Sequence, residues 1–249
     1  MQPRDGETLD VLSRTLRLLQ RSRGHRATSD DVLLAGHAAE AAPGARRIAD
    51  LGTGKGTVAL LLARAVPDSI IVGVEAYPAS QELAVRNAEL NSLSHRFTPL
   101  LGDLRDPAVL AGQAPFDLIC GAPPFMPLGS GTLPADGQRA AGRFELRGGV
   151  ADYARTAAAH LAADGVVILL MDGHGADRLE SAFSEAGLCL RRRVSVLPRP
   201  GRPATYELGL GGWTRGPTER RVVAMRGEEG EAWTPAFAAL RRRLDLPGT

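Results

Sequence analysis

The chain is poor in cysteine, aromatic residues and lysine, and it has no long apolar run. Two cysteines in 249 residues exclude a disulfide framework and a multi-cysteine zinc ribbon. Aromatics make up 4% of the chain, so stacking surfaces for bases are confined to a few positions. Of the 30 basic residues only Lys55 is a lysine. That excess of arginine, beside abundant alanine and glycine, reads as a GC-rich genome more than as a binding surface. A formal charge of +2 is too small to demand a nucleic-acid partner. The longest apolar stretches, such as 166–171, fall far short of the roughly 20 residues that cross a bilayer. The first thirty residues carry arginines without the apolar stretch of a secretory signal. The expectation is a soluble cytoplasmic protein without membrane contact, in which Cys120 and Cys189 are small buried hydrophobes. Apolar residues at 44% and charged residues at 23% suit a globular chain long enough for one α/β sheet with a tail.

Three segments follow from the patterning. Residues 1–45 read as a helical extension, with apolar positions at helical spacing over 8–21 and an apolar run over 32–42 that Ser29 and Asp30 could cap. Residues 46–212 alternate. Strand-like runs at 47–51, 69–75, 97–101, 116–120 and 165–171 are separated by helical stretches at 56–66, 79–92, 148–163 and 175–186. Such alternation implies a mostly parallel sheet covered on both faces. Two further runs, 190–197 and 204–210, have only a proline-bearing turn between them and predict an antiparallel hairpin at one edge. Residues 213–249 read as a looser tail with one short helix after Thr234-Pro235. The fold class expected is a doubly wound, seven-stranded, mostly parallel α/β sheet.

The first strand runs into Asp50-Leu51-Gly52-Thr53-Gly54-Lys55-Gly56, and a helix opens directly after it. Glycines let the chain turn sharply and a ligand approach closely, and the helix N–H groups point into the site. A phosphate loop is excluded, because Ala49 and Gly56 stand where its first glycine and its hydroxyl residue are required. A dinucleotide fingerprint counted from Gly52 meets Thr57 at its last glycine. S-adenosylmethionine fits better, since its cationic methionyl end favours an acid ahead of the glycines, and Asp50 supplies one. Glu75, closing the next strand, can accept both hydroxyls of a ribose, as it would for a dinucleotide. Asp103, followed by Leu104 after the third strand, either accepts from an adenine amino group or caps the short helix before Pro107.

The fourth strand leads into Ala122-Pro123-Pro124-Phe125. Consecutive prolines stiffen this loop and end the strand. Ligands of open α/β sheets sit beyond the carboxyl ends of the strands. Phe125 there either offers a stacking face or packs in the core. The long loop 126–149 has the length of a lid, with Arg139 and Arg143 on it.

Together the Asp-Leu-Gly-Thr-Gly turn, Glu75, Gly102-Asp103 and the Pro-Pro-Phe loop resemble class I S-adenosylmethionine-dependent methyltransferases. More narrowly, the chain resembles the bacterial tRNA adenine-N6 methyltransferases. Thr28-Ser29-Asp30-Asp31-Val32-Leu33-Leu34-Ala35 is similar to that family's threonine–aspartate stretch. Residues Gln138 to Glu145 are similar to its arginine-containing loop, and Gly227 to Leu240 to its acidic turn and last helix. The resemblance implies S-adenosylmethionine as cofactor, with Asp50, Gly52, Thr53 and Gly54 around the methionyl end, Glu75 on the ribose and Asp103 with Leu104 on the adenine. It places Ala122 to Phe125 at the acceptor, with His25, Ser29, Asp30, Arg139, Arg143 and Phe144 on the substrate side or lid.

The chain departs from the family's Asn-Pro-Pro-Tyr or Asn-Pro-Pro-Phe motif at Ala122. In that motif the asparagine oxygen and a proline carbonyl accept from an exocyclic amine and aim its lone pair at the methyl group. Phe144 likewise replaces a histidine of the arginine loop. Both changes make the pocket less polar. They point first to a small heteroaromatic acceptor methylated on a ring nitrogen or oxygen, and second to tRNA adenine N6. A non-catalytic module that kept the cofactor fold is a third reading. Arginine clusters at 14–26 and 187–227 suit a phosphate footprint but equally a solvated face. His25 sits where it could cover the site as a base. The five histidines show no metal-ligand spacing, and no metal is expected.

Overall fold

The computed structural model describes residues 1–247; the last two residues of the expected tail lie outside the described residues. The chain opens with strands β1 (Glu7–Val11) and β2 (Arg17–Arg21), paired antiparallel from Glu7 opposite Arg21 to Val11 opposite Arg17. A helix was expected over 8–21, and the hairpin corrects it. Ser13 Oγ accepts from the backbone N–H of Thr15 and Leu16, which turns the chain between the strands. Leu18, Leu19 and Gln20 are all buried, so β2 is covered on both faces and shows no alternation. A short run of that kind cannot be told from a helix by periodicity.

The helices of the extension begin with α1 (Ser29–Ala41). Its first turn is closed from Thr28, whose N–H donates to the Asp31 carboxylate at 3.0 Å. The alternating part follows as β3 (Arg47–Leu51), α2 (Thr57–Ala65), β4 (Ile70–Glu75), α3 (Pro78–Leu90), β5 (Phe97–Leu101), β6 (Phe116–Gly121), α4 (Gly137–Arg143), α5 (Val150–His160), β7 (Leu161–Asp172) and α6 (Ala176–Glu185). The chain ends with β8 (Cys189–Leu197), β9 (Tyr206–Gly212), β10 (Glu219–Ala224) and α7 (Pro235–Arg243).

One large sheet has the order β10-β8-β9-β7-β6-β3-β4-β5. Only β9 runs antiparallel to its neighbours. The doubly wound, mostly parallel architecture is as expected, with eight strands in place of seven. The extra strand, β10, lies in the stretch expected as a loose tail and covers the β8–β9 hairpin on its outer side. Its sequence ERRVVA is exposed and arginine-rich over most of its length, the composition of a protected edge rather than of a core strand. Strand β7 shows why the centre of the sheet was legible. Val167, Leu169 and Met171 pack under α5 and α6, while Ile168 and Leu170 pack on the opposite side with α1, α2 and α7. Both faces of that strand are apolar, as a sheet with helices on both sides requires. Gly36 lets α1 and α7 approach closely, since a Cβ there would stand 2.2 Å from the Leu240 side chain.

Candidate functional site

The carboxyl ends of β3, β4, β5 and β6 open onto a cleft on one edge of the molecule. Gly52 and Gly54 both have positive φ, +67° and +58°. They serve different ends. A Cβ on Gly52 would lie 2.2 Å from the hydroxyl of Tyr153, the buried residue that floors the cleft from α5. A Cβ on Gly54 would meet only the Gly52 carbonyl, 4.0 Å away, and would otherwise project into open space. The turn is held by the Thr53 N–H on the Val74 carbonyl at 2.9 Å and by the Thr53 hydroxyl on Asp50 Oδ2 at 2.6 Å.

Asp50 is buried and has no ion-pair partner among the described residues. Burial pushes its carboxyl up to about 7; the Thr53 hydrogen bond opposes this and the nearby Asp31 charge adds to it. Cys120, buried as expected, approaches the other oxygen at 3.7 Å. Glu75 closes β4 with one oxygen accepting from Gly54 N–H at 2.9 Å and the other from Tyr77 N–H at 2.6 Å. Burial raises its carboxyl above the usual range. Asp103 is gripped by Arg105 through bonds of 2.9 and 2.6 Å, which hold its carboxyl below the usual range. It does not cap the following short helix; Asp106 does, accepting from Ala108 N–H at 2.9 Å. Asp103 and Leu104 line the cleft together with Glu75, Gly52 and Gly54.

These groups fit S-adenosylmethionine. A buried carboxyl without a cation suits the ammonium of its methionyl end, a second carboxylate at the end of β4 suits a ribose, and the space over Gly54 is left free. Tyr77, in the turn just after Glu75, and Tyr153, which arrives from α5, are on walls of the same cleft, and neither carried a local signal.

A second cavity of about 530 Å³ lies next to the cleft. It is lined by Ala122, Pro123 and Phe125 on one side and by Arg139 and Arg143 on the other. Gly52, Gly54, Lys55 and Ala122 line both spaces, so the two meet at the foot of the Pro-Pro loop. Phe125 is half-buried and tilts against Tyr206, their ring centres 6.4 Å apart. Tyr206 was not singled out in the sequence; it reaches the site from β9. Ser29 stands 3.3 Å from the Tyr206 hydroxyl but does not line this cavity, whereas Asp30 and Asp31 do. Asp31 is pushed up to about 6 by its depth in the cleft, against the pull of Lys55.

The loop expected as a lid contains α4. Asp136 caps it, accepting from Arg139 N–H at 2.9 Å, and pairs with Arg21 of the hairpin at 2.7 Å. Gln138 is buried and ties α4 to α3 through Ser80 Oγ at 3.0 Å and to the backbone N–H of His25 at 3.2 Å. His25 stands at the mouth of both spaces. Burial and then the Lys55 cation lower its imidazole below the ordinary value, with Asp30 opposing. Phe144 is placed differently from expectation. It is 1% exposed, inside the fold where α4 ends, and offers no face to a ligand. No group of three or more potential metal ligands comes together among the described residues, and none of their helices is long and apolar enough to cross a membrane.

Comparison with known proteins bears on this site. The methyltransferase small domain family matches residues 29–133. A tRNA1(Val) (adenine(37)-N6)-methyltransferase of Porphyromonas gingivalis is 37% identical over 124 residues, 48% of each chain. One from Bacteroides thetaiotaomicron is 34% identical over 183 residues, 70% of each chain. A release factor glutamine methyltransferase of Geobacter sulfurreducens is 38% identical over 98 residues, 39% of this chain and 33% of that one. The match thus spans about half the length of the Porphyromonas relative and over two thirds of the Bacteroides one. Among solved structures, a predicted O-methyltransferase from Agrobacterium tumefaciens has a TM-score of 0.66 at 22% identity, covering 88% of this chain and 98% of that one. At that identity the likeness is one of fold. With the glycine turn, the acid ahead of it and the Pro-Pro-Phe loop in place, the chain belongs to the S-adenosylmethionine-dependent methyltransferases, in the family of the tRNA1(Val) adenine-N6 methyltransferases.

Proposed function

We propose that the protein methylates the exocyclic N6 of an adenine in tRNA. The observation that carries this reading is the meeting of the two spaces at Ala122 and the glycine turn. A nucleobase in the 530 Å³ cavity would there face the reactive end of the cofactor. S-adenosylmethionine, when bound, supplies a methyl group on a sulfonium, open to in-line attack. The chain's own part is alignment and the exclusion of water. Phe125 and Tyr206 form an aromatic wall for a base turned out of its stack. Arg139 and Arg143 on the lid side suit the adjoining phosphates. The relatives named above modify a tRNA adenine or a release-factor glutamine, so the small heteroaromatic acceptor expected from Ala122 gives way to the nucleic-acid one. A tRNA substrate would also place the protein in the cytoplasm.

Ala122 then sets the rate. Without the asparagine oxygen, the amine has the Pro123 carbonyl as its acceptor in this motif. Loss of one positioned polar group at a reacting centre costs about 10²–10³ in rate. The test is transfer of labelled methyl to unmodified tRNA, followed by nucleoside analysis. The expected product is N6-methyladenosine, formed slowly by the wild-type chain and about 10²-fold faster by Ala122→Asn. A protein that binds S-adenosylhomocysteine yet labels no tRNA, with Ala122→Asn equally silent, would overturn the reading.

A further inference from the structure

A third cavity, of about 730 Å³, lies between the turn of the hairpin, the start of α1, the end of β10 and α7. It is separate from the cleft and adjoins the acceptor cavity, sharing part of one wall with it. Thr28, Asp31 and Thr57 line both this cavity and the acceptor cavity. Its character is basic. Arg199, Arg226 and Arg241 line it, against Asp31 at its inner end. The acid at its rim, Glu231, bridges Arg226 at 2.8 Å and Arg199 at 3.5 Å and is itself 82% exposed. Arg241 has no carboxylate partner among the described residues; it donates to the Pro247 carbonyl.

Two features mark the cavity as built for a ligand. Arg226 stacks on the Trp233 ring at 3.8 Å and Arg241 stands 4.9 Å from the same ring. Two guanidinium groups are thus held on one indole, and partial burial, then Arg226, make the Arg241 cation harder to keep. The second feature is a shortage of partners. Six buried side-chain polar atoms lack a hydrogen bond among the described residues, and three of them belong to this cavity: Thr57 Oγ1, Trp233 Nε1 and Arg241 Nε. Each unmade bond of this kind costs about 1–3 kcal/mol; these atoms are closed off from the open space as it stands, so a small turn of Trp233 and Arg241 toward a bound acceptor would recover that cost.

We propose that this cavity binds a phosphate of the RNA chain next to the target nucleotide. A phosphodiester supplies several acceptor oxygens and a full negative charge, which the two arginines held on the Trp233 ring, with Arg199 beside them, match. A polymer with one nucleotide in the acceptor cavity has its neighbour within reach here, across Thr28, Asp31 and Thr57. The inference rests on the RNA reading for the source of the phosphate, and the test separates the two.

The chain has two tryptophans, so Trp213→Phe leaves Trp233 as the one indole reporter. The intact Trp213→Phe protein, loaded with S-adenosylhomocysteine, is titrated with a short adenine-containing oligoribonucleotide, with inorganic phosphate and with a glutamate-rich peptide. The oligonucleotide is expected to change Trp233 emission saturably, with phosphate competing weakly. In the native tryptophan background, Arg226→Gln and Arg241→Gln are each expected to weaken oligonucleotide binding about tenfold and to lower the log–log salt slope by about one. Their affinity for S-adenosylhomocysteine should stay unchanged. Emission blind to oligonucleotide and phosphate, a response to the peptide alone, or an unaltered salt slope in both variants would overturn the proposal. Saturable oligonucleotide binding through Trp233 without methyl transfer to tRNA would sink the methylation reading and leave the phosphate site standing.

Discussion

Gly52 and Gly54 offer a paired perturbation that separates folding from cofactor binding. Both sit at positive φ, where an alanine costs about 1–2 kcal/mol. Gly52→Ala adds a steric conflict, since its Cβ would lie 2.2 Å from the Tyr153 hydroxyl. Tyr153 is buried and packed in the core under β7, so overpacking there adds about 1–3 kcal/mol. The sum, about 2–5 kcal/mol, corresponds to a fall in Tm of about 4–20 °C for a chain of this length. Gly54→Ala meets nothing within the protein closer than 4.0 Å, so only the backbone cost applies and Tm should fall by about 2–8 °C. Its methyl group instead enters the space left for the cofactor. The same 1–3 kcal/mol of crowding, now felt only in the complex, weakens S-adenosylhomocysteine by about 5–150-fold. Differential scanning calorimetry and isothermal titration on the two variants read both quantities. Wild-type affinity in Gly54→Ala would refute the reasoning, because the open space above that glycine would then not be where the ligand lies.

Asp50 predicts a pH dependence. Its carboxyl titrates near 7 in the free protein, and a ligand ammonium selects the carboxylate form, so binding of S-adenosylhomocysteine should tighten as pH rises toward 7 and level off above it. Affinity at pH 6 should be about tenfold weaker than at pH 8, and Asp50→Asn should bind weakly and without this slope. Because the folded value lies above the unfolded 3.8, the free protein holds a proton that the unfolded chain has lost, and its stability should fall between about pH 4 and 7. Glu75→Ala strips acceptors from Gly54 and Tyr77 and from any ribose; loss of one charge-assisted bond, about 1.5–3 kcal/mol, predicts at least tenfold weaker cofactor binding by titration. Phe144→Ala should cost about 3–5 kcal/mol in chemical denaturation through the cavity it leaves. Unchanged stability in that variant would return Phe144 to the ligand side.

Legibility followed the range of the interactions. The turn from Asp50 to Gly56, Glu75 and the Pro-Pro-Phe loop were readable because each is a strand end with its own short signature, and the sheet gathers strand ends by topology alone. Tyr153 and Tyr206 were not singled out, since single residues on a helix and a distant strand gain their roles only when packed. Strand β10 was hidden by its exposure, and Phe144 by a motif in which a polar residue was expected. The hairpin was missed for a different reason. Its outer edge is met not by another strand but by Asn87 of α3 and by Asn91, which caps the end of that helix. Asn87 accepts from Leu19 N–H at 2.7 Å and donates to the Leu19 carbonyl at 2.9 Å, and Asn91 does the same for Arg17 at 2.9 and 2.8 Å. One helical turn of side-chain amides imitates a neighbouring strand, which no window of sequence around 17–21 reveals.

Asn87 also donates to the Lys55 carbonyl at 2.9 Å, so one amide clasps β2, α3 and the glycine turn together. This orders events during synthesis. The hairpin leaves the ribosome 68 residues before the side chain that completes its edge, and Lys55 leaves 32 residues before the same side chain. Until Asn87 arrives, β2 carries open backbone groups and the turn has no anchor on that side, which is the interval in which a nascent strand is open to wrong pairing. A chain stalled at residue 80 already holds every glycine of the turn and still lacks the clasp that fixes it.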